Sequence, residues 1–225
     1  MGVAEHLKIR IDDYDLRIRT FVPDYEEMQR RVAEMLRLLG AASPDVVDLG
    51  TGTGALALRC LEVAPAARIV GIDDDPAMLE LARARVAGQG DVELVRGDFL
   101  LTPPPPADAI VACISLHHIG APEAKQAFYA RCADALRPGG VLVSADFYPA
   151  REARLASLQR GAWLEHLERT YPRADAEAYL AAWAEEDTYF PLEDELSWLR
   201  DAGLHPEIVW RQDGFAVLAG MKPAG

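Results

Sequence analysis

The sequence predicts an α/β protein: a three-layer sandwich in which a mostly parallel sheet is covered by helices on both faces. Three observations predict it. From residue 46 onward, short β-branched segments bounded by Gly or Asp alternate with amphipathic segments whose apolar residues lie three or four apart. A glycine-rich turn joins the first strand of this series to the helix that follows. Near the C-terminus, Asp213 and Gly214 between two apolar segments indicate an antiparallel hairpin.

The first predicted elements surround the glycine-rich turn. Residues 24–39 carry apolar side chains at helical spacing and end at Gly40, which suits a helix C-cap. Residues 46–49, which begin with two β-branched valines, predict the first strand, and residues 53–63 predict the helix after it. Residues 68–72 predict the second strand.

The middle of the chain continues the same alternation. Pro76 marks the first turn of the helix after the second strand. Residues 92–95 predict a third strand. Residues 109–114 predict a fourth strand, so apolar that we expect it to be buried on both faces. The four prolines at 103–106 form a stiff surface loop between these strands.

The last third of the chain completes the sheet and adds an insertion. A helix over residues 122–136 stops at a Pro-Gly-Gly sequence, and residues 141–145 predict the fifth strand. Residues 151–187 predict two helical pieces broken at Tyr171-Pro172. The end of the chain predicts a helix over 192–202, ended by Gly203, and hairpin strands over 206–211 and 215–221.

Length and composition fit a single domain. The 225 residues, 50% of them hydrophobic, are enough to bury one core, and we expect one domain over residues 1–225. No segment approaches the roughly 18 consecutive apolar residues of a membrane span, and residues 1–10 lack the apolar stretch of a signal peptide. We therefore expect a cytoplasmic protein with no membrane partner.

Acidic residues outnumber basic ones, 36 to 23, for a formal net charge of −13. Such a surface repels polyanions, so we expect no nucleic-acid partner. The same charge keeps a protein soluble without involving any partner.

The three cysteines, Cys60, Cys113 and Cys132, lie within apolar patterns. Their spacing is not that of metal ligands, and an odd number cannot complete a disulfide framework. We expect them to be reduced and mostly buried, and we expect no metal site.

The glycine-rich turn is the strongest sequence feature. Gly50 and Gly52 allow a sharp turn and let a ligand lie against main-chain atoms that a side chain would block. A dinucleotide site spaces its glycines as Gly-x-Gly-x-x-Gly, whereas here Gly54 comes one residue earlier. Asp48, just before the turn, suits a cationic or amino-bearing ligand better than a phosphate. The alternative is a tight strand-to-helix connection without a ligand.

Two further strand ends carry carboxylates. Asp73 ends the second strand about twenty residues after the glycines, where a carboxylate accepts hydrogen bonds from ribose hydroxyls. Asp98 and Phe99 follow the third strand, where an acceptor beside an aromatic face would hold an adenine ring. Each carboxylate could instead cap a helix or lie in a solvated turn, Asp74 and Asp75 above all. Together the three strand ends favour a nucleoside ligand.

The segments at 46–54, 71–79, 97–99 and 136–143 together resemble the successive motifs of the class I S-adenosylmethionine-dependent methyltransferases. The resemblance extends from Tyr14 to Met221. It implies sheet order 3-2-1-4-5-7-6 with strand 7 antiparallel, and S-adenosylmethionine as cofactor. It assigns Asp48 and the glycine turn to the methionine part, Asp73 to the ribose, and Asp98 with Phe99 to the adenine. The cofactor residues it implies are Tyr25, Asp48, Gly50, Thr51, Gly52, Asp73, Asp74, Met78, Asp98, Phe99 and Ile114.

A narrower resemblance concerns the N-terminal segment. Tyr14-Asp15, followed by Pro23-Asp24-Tyr25, is similar to the carboxy-S-adenosylmethionine synthase branch and its uncharacterised bacterial relatives. It implies that Tyr25 lies against the cofactor and closes the site, although a tyrosine at a helix start could simply pack there. Enzymes of that branch need an arginine in the lid for the extra carboxylate, and residues 179–182 contain none. Ordinary methyl transfer is therefore favoured.

The acceptor site is predicted from position. In open α/β sheets ligands bind beyond the carboxyl ends of strands, which makes His117, His118 and Asp146 candidate catalytic groups and Tyr148 a candidate contact. A Leu-His-His sequence at this place is often structural in the wider family.

Residues 150–190 predict a helical lid. It lies between a core over 41–149 and a terminal helix and hairpin over 191–225, and N-terminal cap helices are expected over 1–40. In the lid, the candidate acceptor contacts are Trp163, His166 and Trp183. Such aromatic residues could instead pack the insertion or form a homodimer interface.

The function expected is methyl transfer by in-line displacement to a small-molecule acceptor. The alternatives are a nicotinamide oxidoreductase, a non-catalytic or carboxy-S-adenosylmethionine-related binding protein, and a tRNA-modifying enzyme. The glycine spacing disfavours the first, and the net charge disfavours the last.

Overall fold

The computed structural model describes residues 10–225. The expectations about residues 1–9, which concern a signal peptide and the start of the N-terminal cap, lie outside this range. In the described part of the chain no helix is both long enough and apolar enough to cross a membrane.

The described residues form a seven-stranded sheet of order β3-β2-β1-β4-β5-β7-β6. Strands β1 to β5 are parallel, and β7 is antiparallel to both β5 and β6. The predicted order and the reversed last strand are confirmed. The strands are β1 Asp45–Leu49, β2 Arg68–Asp73, β3 Asp91–Arg96, β4 Ala107–Cys113, β5 Leu136–Phe147, β6 His205–Gln212 and β7 Phe215–Met221.

Helices cover both faces of the sheet. The α-helices are α1 Tyr14–Phe21, α2 Tyr25–Glu34, α3 Ala55–Val63, α4 Pro76–Val86, α5 Pro122–Ala135, α6 Ala153–Glu168, α7 Arg173–Glu186 and α8 Leu192–Asp201. Short 3₁₀ helices span Ile11–Asp13, Met35–Leu38 and Leu116–His118. The predicted break at Tyr171-Pro172 separates α6 from α7 and is confirmed.

Two apolar clusters, one on each face of the sheet, make up the core. Successive side chains of a strand point to opposite faces, and Val46 accordingly packs in one cluster while Val47 packs in the other. The same alternation places Val111 and Ile110 of β4 on opposite faces, and both are fully buried. Three layers and a central strand buried on both faces are thus confirmed, and the cysteines at 60, 113 and 132 are free and buried.

The fifth strand begins earlier than its sequence predicts. The Pro-Gly-Gly sequence lies within β5, because Leu136 already pairs with Ala107 and the chain ahead of Val141 pairs with the C-terminal segment. There the Lys222 N–H donates a hydrogen bond of 2.8 Å to the Gly140 carbonyl. A long-range partner, invisible to a local pattern, therefore extends the strand.

The expected C-cap at Gly40 is not formed. The α-helix α2 ends at Glu34, the chain continues as the 3₁₀ turn Met35–Leu38, and Leu39 is already extended. Gly40 does not have the positive φ that a left-handed cap requires.

The insertion after β5 packs against α1. The indole N–H of Trp163 on α6 donates a hydrogen bond of 2.7 Å to the Phe21 carbonyl. On α7, Trp183 contacts the Phe21 ring with 5.3 Å between ring centroids. Helices α1, α6 and α7 therefore form one roof above the carboxyl ends of the strands.

Candidate functional site

A cleft of about 390 Å³ opens at the carboxyl ends of the parallel strands, where ligands bind in open α/β sheets. It is lined by residues that follow β1, β2, β3 and β4, by two residues of α1 and by the last residue of α7. The lining residues are Tyr14, Ile18, Gly50, Gly52, Asp73, Asp74, Met78, Gly97, Asp98, Phe99, Leu100, Ile114, Ser115, His117, His118 and Glu186.

The glycine turn forms the floor of this cleft. Gly50, Gly52 and Gly54 all have positive φ, a conformation that L side chains rarely adopt. A Cβ on Gly50 would lie 2.6 Å from the Ser115 Cβ, whereas a Cβ on Gly52 would meet only the Gly50 carbonyl oxygen, at 4.0 Å. Gly50 therefore permits a close packing contact, and Gly52 leaves space for a ligand against the main chain.

Asp73, at the end of β2, is buried beside the turn. Its Oδ2 accepts a hydrogen bond from the Gly52 N–H at 2.8 Å, and its Oδ1 accepts one from the Asp75 N–H at 2.9 Å. Burial raises the pKa of Asp73, and these two hydrogen bonds oppose the rise. Each carboxylate oxygen keeps a second lone pair that can accept a ligand hydroxyl.

Asp48 lies beneath the turn, in a second chamber of about 30 Å³. It is 1% exposed, and the Thr51 hydroxyl donates to its Oδ2 at 2.7 Å. Burial raises the pKa of Asp48 to about 7; the Thr51 hydrogen bond opposes the rise and the nearby charge of Asp73 reinforces it. Tyr25 lines the same chamber from α2 and is buried. A cationic ligand group would favour the charged form of Asp48.

Asp98 and Phe99 form the far end of the cleft. Asp98 Oδ1 accepts a hydrogen bond from the Leu100 N–H at 2.7 Å, which fixes the turn after β3. The Phe99 ring packs edge-on against Phe128, with 5.8 Å between centroids. Asp74 and Met78 also line the cleft, with Met78 buried and Asp74 exposed. Asp75 caps α4, its side chain accepting a hydrogen bond from the Ala77 N–H.

Helix α1 is latched to the glycine turn. Asp15 Oδ1 accepts a hydrogen bond of 2.8 Å from the Thr53 hydroxyl, and Arg85 of α4 binds both Asp15 and the Thr53 carbonyl. The latch holds Tyr14 and Ile18 over the cleft. Both residues help to form the cleft, but the sequence analysis did not identify either as a site residue. The signal that could have identified them is their spacing of four residues on one helix, which places both side chains on the same face.

A second cavity, of about 40 Å³, lies under the roof of α1, α6 and α7. We call it the aromatic cavity. Ile18, Ile114 and His117 belong to the walls of both this cavity and the cleft. Ile114 has φ +53°, a strained conformation for a β-branched residue and one typical of functional sites. The aromatic cavity is lined by Ile18, Phe21, Val22, Ile114, His117, Asp146, Phe147, Trp163, Trp183, Asp187, Tyr189 and Phe215.

His117 is buried where the two cavities meet. Its Nδ1 lies 2.9 Å from Asp146 Oδ1, and its backbone N–H donates to Asp146 Oδ2 at 3.2 Å. Its Nε2 faces Asp187 Oδ1 at 3.8 Å. Burial lowers the pKa of His117, but the charge and hydrogen bond of Asp146 and the charge of Asp187 outweigh this, so the pKa is raised.

A buried ion pair supports the turn that carries His117. Lys125 of α5 donates a hydrogen bond of 2.7 Å to the Leu116 carbonyl and lies 3.2 Å from Glu195 of α8. Tyr129 donates to the same carboxylate. Both charged side chains of the pair are 2% exposed. The turn Leu116–His118 is therefore held from behind by two helices.

Some of the residues predicted to contact the acceptor line a cavity in the structure, and others do not. Trp163 and Trp183 line the aromatic cavity, and His118 lines the cleft with its side chain half exposed. Tyr148 does not reach either cavity: it packs in the core cluster on the opposite face, and its hydroxyl donates to the Ser144 hydroxyl at 2.7 Å. Phe147 faces the cavity instead, because neighbouring residues at a strand end point to opposite faces.

His166, also predicted to contact the acceptor, lies away from both cavities. It lies on α6, half-buried near the backbone of Arg19 and Thr20, and it does not line the aromatic cavity. Burial and the charge of Arg169 lower the pKa of His166. Trp163, three residues earlier on the helix, faces the cavity in its place.

Other residues of the site were not predicted from the sequence. Ser115 donates a hydrogen bond of 2.9 Å to the Leu49 carbonyl and so joins β1 to the turn after β4. Asp187 and Tyr189, which follow α7, line the aromatic cavity beside His117. They are separated from His117 by about seventy residues, and no local pattern marks them.

Comparisons with known proteins agree with this architecture. A family profile described as a methyltransferase domain matches residues 46–140. The carboxy-S-adenosyl-L-methionine synthase of Pseudomonas savastanoi pv. phaseolicola is 30% identical over 214 residues, which cover 87% of this chain and 83% of that protein. The uncharacterized methyltransferase YrrT of Bacillus subtilis is 33% identical over 109 residues, covering 47% of this chain and 49% of that protein. The chain thus spans about half the length of this second relative.

A solved structure shares the fold. Human N-acetylserotonin methyltransferase, determined in complex with S-adenosylmethionine, superposes with a TM-score of 0.64 at 16% identity. The superposition covers 98% of this chain and 58% of the human protein. At this identity the likeness concerns the fold.

Proposed function

The chain belongs to the class I S-adenosylmethionine-dependent methyltransferases and uses that cofactor, and we propose that it transfers the methyl group to a small molecule held beside His117. The observation that carries this proposal is the shared wall of the two cavities. Ile114 and His117 border both the cleft at the strand ends and the aromatic cavity. A methyl donor in the cleft and a methyl acceptor in the aromatic cavity meet at these two residues.

The cofactor occupies the larger cleft. Its volume, about 390 Å³, lies within the roughly 300–1,000 Å³ of small-molecule sites. Asp73 binds the ribose hydroxyls, and Asp98 with Phe99 holds the adenine. The methionine part lies on Gly52 and above Asp48, whose negative charge attracts the amino group.

The acceptor's reacting group enters the aromatic cavity. A volume of about 40 Å³ holds on the order of three water-sized groups, since one water needs about 10–15 Å³. Methyl transfer is an in-line displacement at the sulfonium, so the walls act mainly by aligning acceptor and methyl carbon and by excluding water. The rings of Phe147, Trp163 and Trp183 suit this purpose.

His117 takes the acceptor's proton where the acceptor must lose one. Asp146 engages Nδ1, which leaves Nε2 facing the cavity as the available base. Lys125, through the Leu116 carbonyl, positions the turn and does not itself contact the cavity. His118 borders the cleft and contributes to its polar wall.

A small acceptor is favoured over a polynucleotide. The chain's formal net charge is −13, and none of the described residues lining either cavity is Lys or Arg. Phosphate-rich substrates are normally bound by such cations.

A second candidate is binding or synthesis of carboxy-S-adenosylmethionine, favoured by the relative of which this chain covers 83%. The same absence of lining Lys or Arg among the described residues argues against it, because the extra carboxylate would have no permanently charged partner. Titration calorimetry with both cofactors separates the two candidates: methyl transfer predicts tighter binding of S-adenosylmethionine.

Two measurements test the main proposal. Calorimetry with S-adenosylhomocysteine should show micromolar binding, and NADH should show none. A screen of small-molecule pools with methyl-labelled cofactor should then transfer label to an acceptor of low molecular mass. Label that appears only in RNA or protein would overturn the small-molecule assignment. Persistent absence of transfer with intact cofactor binding would favour a non-catalytic binding protein.

A further inference from the structure

Three side chains that can ligate a metal ion converge at the boundary between the cleft and the aromatic cavity. His118 Nδ1 lies 3.3 Å from Asp187 Oδ1, and His117 Nε2 lies 3.8 Å from the same oxygen. One ligand atom from each of the three residues falls within 4.8 Å of the others. We propose that His117, His118 and Asp187 bind a divalent transition-metal ion, with Zn²⁺ as the best match.

The spacing is close to what a metal site requires. Four-coordinate Zn²⁺ binds imidazole nitrogen and carboxylate oxygen at about 2.0–2.2 Å, which separates neighbouring tetrahedral ligand atoms by roughly 3.3–3.5 Å. The His118–Asp187 distance already has this value. His117 is held by Asp146, whereas the side chain of His118 is 47% exposed. Closing the 3.8 Å between His117 Nε2 and Asp187 Oδ1 by a few tenths of an ångström, with a shift of His118 toward His117, completes the geometry.

The ligands are oriented as metal ligands usually are. A metal-bound histidine commonly donates its other ring N–H to a carboxylate, which fixes the tautomer and raises the basicity of the ligating nitrogen. His117 has this arrangement, because Asp146 engages Nδ1 and leaves Nε2 facing Asp187. Asp187 is held in turn by the Tyr189 hydroxyl, which donates to Oδ2 at 2.9 Å and leaves Oδ1 facing the histidines.

The two chain segments that supply the ligands are also tied together. The Thr188 N–H, next to Asp187, donates a hydrogen bond of 2.9 Å to the His117 carbonyl. Lys125 holds the carbonyl of Leu116 on the other side of the turn. The site is therefore pre-organised between the turn after β4 and the segment after α7, and a bound ion would join the roof to the core.

The donor set selects the class of ion. Two imidazoles and one carboxylate suit Zn²⁺ and its first-row neighbours, whereas Mg²⁺ and Ca²⁺ prefer oxygen ligands. Three protein ligands leave a fourth position for water or a ligand atom, as in catalytic rather than structural zinc sites. That position faces the cavities, because His118 borders the cleft and Asp187 borders the aromatic cavity.

The metal site goes beyond the proposed function and does not rest on it, since binding can be measured without an acceptor. The metal site and the proposed function are linked at one atom, His117 Nε2. A metal on His117 Nε2 occupies the lone pair that would take the acceptor's proton, so the metal-free and the metal-loaded protein differ in how the acceptor can be deprotonated.

The test is direct binding to untagged, chelator-treated protein without cofactor. Calorimetry with Zn²⁺ should give one site per chain, and Co²⁺ should produce the visible absorption bands of a four-coordinate complex. His118→Ala, at a half-exposed position, should abolish the bands and weaken Zn²⁺ by at least about 10-fold. Asp146→Asn, which changes only the group behind His117, should weaken Zn²⁺ by about 10- to 100-fold.

His205→Ala is the matched control, because this histidine is exposed at the start of β6 and lies outside the proposed site. It should leave both signals unchanged. The proposal is overturned if the parent protein gives no site-specific Zn²⁺ binding, or if His118→Ala binds Zn²⁺ and Co²⁺ as the parent does. The test measures metal binding and does not use methyl transfer, so its outcome is independent of the proposed function.

Discussion

The backbone N–H of Gly52 donates a hydrogen bond of 2.8 Å to Asp73 Oδ2. This bond joins the turn after β1 to the end of β2, although the residues lie 21 positions apart. One carboxylate thus shapes the glycine turn and, in our proposal, also binds the cofactor ribose. Cofactor affinity and the geometry of the turn should therefore respond to the same residue.

Asp73→Ala should weaken binding of S-adenosylhomocysteine by about 1.5–3 kcal/mol, the size of a lost hydrogen bond to a charged group. Titration calorimetry measures the change. Asp91→Ala is the matched control, an exposed aspartate at the opposite end of the neighbouring strand β3. Equal affinity of the Asp73 variant and the parent protein would refute the ribose assignment.

Gly52→Ala should abolish cofactor binding while the protein stays folded. The added Cβ would meet only the Gly50 carbonyl oxygen, at 4.0 Å, so it would project into the cleft without a clash. The positive φ costs roughly 1–2 kcal/mol. Gly88→Ala should show the same loss of thermal stability with normal cofactor binding, because Gly88 has φ +72° and nothing within 4 Å of its Cβ position.

Gly50→Ala should destabilise the fold more than either of those variants. Its Cβ would lie 2.6 Å from the Ser115 Cβ, and the backbone there also has positive φ. Urea unfolding compares the three alanine variants. A Gly50 variant as stable as the Gly52 variant would contradict the packing argument.

Cofactor affinity should rise with pH and level off above about 7, the pKa of Asp48 in the protein without cofactor. Below this pH the carboxyl is protonated and does not attract the cofactor's amino group; above it the carboxylate does. Calorimetry from pH 5.5 to 8.5 is expected to show the rise, and Asp48→Asn should remove it. A pH profile shared by the variant and the parent would assign the dependence to another group.

The same residue should reduce stability above neutral pH. The folded pKa of about 7 exceeds the reference value of 3.8, so the folded protein holds a proton that the unfolded chain releases between these values. The contribution of Asp48 to the free energy of unfolding therefore falls as pH rises from about 4 to 7. At pH 8, without cofactor, Asp48→Asn should unfold at a higher urea concentration than the parent; an equal or lower midpoint would speak against this burial effect.

Lys125→Met should cost about 3–5 kcal/mol of stability, the usual effect of removing one partner from a buried ion pair. Glu195 would then be buried without its cation, and the Leu116 carbonyl would lose its donor. The double variant Lys125→Met, Glu195→Leu should recover part of the loss, which urea unfolding can measure. Additive losses in the double variant would mean that the two side chains act independently.

Most element boundaries could be predicted because they depend on local periodicity and on glycine, proline and aspartate at strand ends, whereas the strand order was implied by the resemblance to the methyltransferase family. Asp73 and Asp98 could be located for the same reason: parallel strands end at one edge, so a residue after each strand lies near the others. The same reasoning failed at Tyr148, where a shift of one position along a strand end exchanges the faces of the sheet.

The sequence by itself determined the α/β architecture, the glycine-rich turn and the acidic strand ends, because each depends on the spacing of residues that are close together in the chain. Only the tertiary structure decided what faces His117. Asp146 and Asp187 reach it from segments about 30 and 70 residues away, and α1 covers both cavities through contacts with the glycine turn and with α6. Such contacts depend on how the helices pack over the sheet. That packing results from the burial of side chains across the whole chain, so no local sequence pattern predicts it.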